Sequence, residues 1–148
     1  MVDIKNCFTA VLTTNVLYQA ITATAASTNY IDLNKANIKL GVGKPMYLVC
    51  QVITAFATGG ASTGLTVALE TGTDSGFATA LKQVNKWTVA LADLTAGKVI
   101  ICQPLSVQQY QEFMRLYFTA EGGNFASGSI FCHLTDTPEA HISQLDLV

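Results

Sequence analysis

The chain reads as a succession of short apolar runs, each closed by a cluster of Gly, Ser, Thr or Asn. That punctuation is the signature of an all-β sandwich or barrel. Strands are predicted at NYIDL (29–33), PMYLVCQVITAF (45–56), GLTVALET (64–71), KWTVAL (86–91), KVIICQ (98–103), FMRLYFTA (113–120) and GSIFCHLTD (128–136). An eighth runs through YQAITAT (18–24). The intervening TGGAST, GTDSG, LTAGK and EGGNFASG supply residues that tolerate positive φ in turns. Only LSVQQYQE (105–112) has room for a helical turn.

Alternation within the runs assigns faces, because successive strand residues point to opposite sides. In GLTVALET, Leu65, Val67 and Leu69 share one face and Thr66, Ala68 and Glu70 the other, the pattern of a strand with one solvated side. In PMYLVCQVITAF, Met46, Leu48, Cys50 and Val52 line one face, and Tyr47, Val49 and Ile53 the opposite one. A strand apolar on both faces needs cover on both. The second cover is expected from a loop, an N-terminal arm or another subunit. The stretch QEFMRLYFTAEGGNFASGSIFCHL (111–134) is predicted to be a β-hairpin with a broad glycine-rich turn. Its apolar sets, Met114, Leu116 and Phe118 with Ile130, Cys132 and Leu134, belong inside the sandwich. Phe113, Arg115, Tyr117, Phe131 and His133 are then left on an outward aromatic and cationic face, the composition enriched at protein interfaces. Internal cation–π packing of Arg115 is the competing reading.

Composition sharpens this picture. Half of the 148 residues are hydrophobic and only 12% are charged, against roughly 25% in an ordinary globular domain. Apolar or uncharged areas must remain outside, and such areas mark contacts with other subunits. The length fits one domain with a single core. The net charge is −2, the lysines are scattered and Arg115 is the only arginine. Neither nucleic acid nor a polybasic membrane contact is expected. No run approaches the roughly 18 apolar residues of a transmembrane helix. The N-terminus MVDIKNCFTAVLTTNVLYQAITATAAS lacks the positive start and unbroken apolar stretch of a signal peptide, so a cytoplasmic origin is expected. Cys7, Cys50, Cys102 and Cys132 match no zinc spacing, and the last three sit in apolar runs as small core hydrophobes.

No catalytic pattern emerges. In LGVGKP (40–45) a Walker loop would need glycine where Ile38 stands and Ser or Thr at Pro45. Cys132 and His133 are strand neighbours with opposed side chains, His141 lies in a polar tail, and there is no Gly-x-Ser-x-Gly elbow. Asp136, Glu139 and His141 match no metal spacing. We therefore expect no enzyme, no cofactor and no metal.

The order YQAITATAASTNYIDL, GVGKPMYLVCQVITAF, LTVALETGTDSGFATA, LTAGKVIICQPL and FMRLYFTAEGGNFASGSIFCHLTD is similar to that of a family of small phage structural proteins. It resembles the capsid cement, or decoration, proteins of short-tailed phages, including that of a Bordetella phage, across roughly residues 18–136. The family pattern has a basic pair before MRLYF where QEFMRLYF keeps only Arg115, and the tail after Asp136 has no counterpart. The resemblance implies a single-domain jelly-roll-like β-sandwich of about eight antiparallel strands (18–136), with an N-terminal arm (1–17) and a C-terminal tail (137–148). It also implies a virion protein, made in the bacterial host cytoplasm, that binds the capsid exterior and bridges major capsid subunits as a homodimer or other homo-oligomer. The arm, with Phe8, Val11, Leu12 and Leu17, is expected to pack on a partner chain. The alternative is a receptor- or carbohydrate-binding jelly roll of a phage tail or fibre.

Overall fold

The computed structural model describes residues 6–10, 16–34, 45–106 and 110–137. LGVGKP before Pro45, the middle of LSVQQYQE, and Val11, Leu12, Glu139 and His141 lie outside them. Among the described residues nine strands follow in order: β1 (Gln19–Ala20), β2 (Ala25–Ala26), β3 (Ile31–Asp32), β4 (Tyr47–Thr58), β5 (Gly64–Gly72), β6 (Lys82–Ala90), β7 (Val99–Pro104), β8 (Phe113–Glu121) and β9 (Phe125–Thr135). A 3-10 turn, Leu91–Asp93, links β6 to β7. The long strands are those expected from the sequence. YQAITAT holds only the two residues of β1, because the chain leaves that sheet at once for β2.

The strands form two antiparallel sheets, ordered β1-β9-β4-β7 and β2-β8-β5-β6, with β3 also on β8. Residues 27–30 of one strand face only residues 115–116 of β8, since Ala26 pairs with Tyr117 and Ile31 with Met114. β2 and β3 are thus one strand interrupted by a two-residue bulge. Every connection crosses between the sheets except this bulge and the β5–β6 hairpin. Eight strands wound in this way are a jelly roll, an all-β architecture of two packed sheets.

The predicted hairpin of residues 111–134 does not form. β8 and β9 lie in opposite sheets, joined by an arch at Gly122–Gly123 that packs on the neighbouring β4–β5 arch. Thr63 N–H donates to Glu121 O at 2.8 Å, and Gly59 N–H to Asn124 O at 3.1 Å. Gly122 has φ 75°, and a Cβ there would meet Ala61 O at 2.5 Å. Inward apolar sets would meet in a hairpin or across a sandwich alike, so alternation did not distinguish the two. The sandwich interior contains Met114, Leu116 and Phe118 of β8 and Ile130, Cys132 and Leu134 of β9, as expected.

β4 is covered on both sides. Leu48, Cys50 and Val52 enter the main core, while residues 6–10 of the same chain cover part of the outer face. Cys7 and Ala10 pack there with Phe131 and Ile53. The segment runs along the free flank of β9: Cys7 bridges His133, Phe8 N–H donates to Cys132 O, and Cys132 N–H donates to Thr9 Oγ1, each at 2.9 Å. The opposite sheet holds its other side, Asn29 donating its N–H to Phe8 O at 2.8 Å and its side-chain amide to Cys7 O at 2.7 Å. Phe8 turns inward and is wholly buried in the main core, a burial that contributes about 2–3 kcal/mol.

β5 departs from expectation, since its outer residues Thr66, Ala68 and Glu70 are buried too. The strand is central, and its short outer side chains lie between larger ones. Ala68 is flanked by Lys86 and Tyr117, and Glu70 by Gln83 and Arg115. Neighbouring side chains thus shield the face that alternation assigned to solvent.

Candidate interaction surface

The outer face of β8 carries Phe113, Arg115 and Tyr117, all partly exposed. Arg115 is directly opposite Glu70 on β5, and its Nε donates to Glu70 Oε2 at 2.8 Å. The guanidinium also lies 4.4 Å from the centre of the Phe77 ring and 5.5 Å from that of Tyr117. A cation held over aromatic faces is attracted by their ring quadrupoles. Tyr30, from the β2–β3 bulge, packs edge-on against Phe77 at 6.4 Å and Phe113 at 5.6 Å.

Phe77 reaches this face because the β5–β6 loop folds back over it. Asp74 organises that loop, accepting the Thr79 hydroxyl and the backbone N–H groups of Gly76, Ala78 and Thr79. These bonds, the Thr79 hydroxyl first, pull the Asp74 carboxyl from its ordinary 3.8 to about 2. Phe77 has φ 54° and Ala80 φ 51°, backbone that non-glycine residues rarely adopt. Tyr30 of the cluster remains exposed, as does Leu81 at the end of the same β5–β6 loop. The surface therefore has an aromatic and cationic centre held by these contacts, with Tyr30 and Leu81 as its exposed apolar side chains.

The structure brings together Phe113, Arg115 and Tyr117 but separates them from Phe131 and His133. The latter pair stacks at 4.7 Å on the outer face of the other sheet, where both are buried with the N-terminal segment alongside. The single outward face drawn from the hairpin is thus two faces on opposite sides of the molecule. Phe8 is occupied by the chain's own core, so it offers no surface to a partner. Leu17 is exposed. Sequence reasoning missed Tyr30, Glu70 and Phe77. Glu70 carried a weak signal as a lone acid on an apolar strand, whereas Phe77 depends on backbone geometry that no local pattern announces. Among the described residues no cluster of three or more His, Cys, Asp or Glu is arranged to hold a metal ion.

Residues 17–134 match the Bbp16 family, a family of Bordetella phage proteins. The chain belongs to the Bbp16 family. The matched span contains all nine strands but for Thr135 at the end of β9, and begins after the segment that supplies Phe8. No curated protein matches the chain.

Proposed function

We propose that this Bbp16-family chain is a phage virion structural protein, a cement or decoration protein that binds the outer surface of the icosahedral capsid. The observation that carries this reading is the family match over nearly the whole sandwich. The low charge, the exposed Tyr30 and Leu81 and the Arg115–Phe77 cluster support it. In this reading the chain works by presenting surface, without catalysis or cofactor. It bridges major capsid subunits as a homodimer or other homo-oligomer, and repeated modest contacts over a symmetric lattice supply the hold.

The test is quantitative mass spectrometry of purified virions, with co-sedimentation of the recombinant chain on capsids lacking it. Hundreds of copies per particle are the expected result. The double variant Tyr30→Ala, Leu81→Ser should fold normally and lose about tenfold or more in capsid affinity. A few copies per virion would point instead to a tail or fibre module, and absence from the virion would overturn both.

A further inference from the structure

We infer that Cys50 and Cys132 form a redox modification site, a cross-strand dithiol at the centre of the core that closes to an intramolecular disulfide. The two residues are directly opposed in the antiparallel β4–β9 pair, between Leu48–Leu134 and Val52–Ile130. Both thiols are free and wholly buried. Their spacing follows from the backbone bonds. A strand residue sends its N–H and C=O to the same side, and both groups of Cys132 are engaged away from β4. Its N–H donates to Thr9 Oγ1, and its C=O accepts from Phe8 N–H. Cys50 and Cys132 are thus a non-hydrogen-bonded pair, the type in which Cα atoms approach to about 4.5 Å. A disulfide accepts Cα separations of about 4.4–6.8 Å, so the bond closes without moving either strand. Burial, and after it the neighbouring Cys50 thiol, push the Cys132 thiol well above its ordinary range.

The other cysteines are placed to stay out of this reaction. Cys7 packs with Phe131 on the outer side of the sheet, and Cys102, expected in the core, is instead exposed on β7 opposite Val49. With a peroxide as oxidant the step balances. One sulfur loses its proton and takes an oxygen from hydrogen peroxide, forming a sulfenic acid and releasing water. The second sulfur, losing its own proton, then displaces that oxygen as a second water. Two S–H bonds are lost, one S–S bond forms, and one peroxide becomes two waters. Burial makes the reaction slow and dependent on opening of residues 6–10, which lie along Cys132. In a reducing cytoplasm the pair remains a dithiol, and in oxidising surroundings it joins β4 to β9. This inference is independent of the capsid reading.

The experiment uses the full chain carrying Cys102→Ser, which prevents cross-linking between molecules. The protein is treated with hydrogen peroxide, in buffer and in sub-denaturing urea, then alkylated after unfolding and mapped by mass spectrometry. The expected product has lost two hydrogen atoms, joins the peptides of Cys50 and Cys132, and leaves Cys7 alkylated. Its Tm should rise on the order of 10 °C and return with dithiothreitol. Adding Cys50→Ala should abolish the cross-link. Three alkylated thiols under both conditions, or a cross-link that includes Cys7, would overturn the proposal.

Discussion

At Gly128, φ is 153° and a Cβ would lie 2.4 Å from the Phe56 ring. That ring packs edge-on against Phe125 at 4.9 Å, so it has little room to retreat. Gly128→Ala should cost about 2–4 kcal/mol through overpacking and backbone strain. Urea unfolding checks this: the midpoint should fall while the m-value stays constant. An unchanged midpoint would mean that Phe56 moves aside freely. The same scale shows what alternation conveys. Arg115 lies on the outer face that alternation gave it and also makes the cation–π contacts of the competing reading. Its partners Glu70 and Phe77 come from β5 and the β5–β6 loop, and nothing within FMRLYF points to either.

Among the elements, the loop after β5 and the segment before β1 owe their positions to single residues. Because the Asp74 carboxyl is held below its ordinary value, its bonds stabilise the loop fully above pH 3.8 and are lost as pH falls through about 2. NMR titration should therefore show Phe77 leaving Arg115 and Tyr30 in that window. Asp74→Asn should remove this acid-dependent step. Phe8→Ala should cost about 3–5 kcal/mol, as for an aromatic side chain removed from a core. The solution mass in sedimentation should not change. A changed mass at unchanged stability would restore the arm as a partner contact. The long strands were legible because their apolar runs exceed the noise of turn residues. The sheet to which each belongs was not, since a glycine-rich link such as EGGN serves a hairpin and an arch equally well.

Over the whole molecule, two-sided cover explains how a chain with 12% charged residues folds as one domain. Residues 6–10 and neighbouring side chains bury outer positions on β4, β5 and β9 that alternation assigned to partners or solvent. The apolar area left for contact is correspondingly smaller, and Tyr30 and Leu81 define one part of it. The doubly apolar β4 was therefore a correct signal of a second covering layer. The sequence left its source open because the ties through Asn29 and Thr9 join residues far apart in the chain.

The β9 pairings also impose an order on synthesis. β4 ends at Thr58, yet its partner along the core ends at Thr135, 77 residues later (135 − 58). At ribosomal rates of about 5–20 residues per second, that strand emerges roughly 4–15 s after β4. Through that interval one flank of β4 lacks its partner, and β1 and Phe8 have no β9 to join. The β5–β6 hairpin can form early, but the first sheet closes only when β9 arrives. Truncation within β9 therefore threatens the entire sandwich, and the nascent chain is most exposed to aggregation just before β9 emerges.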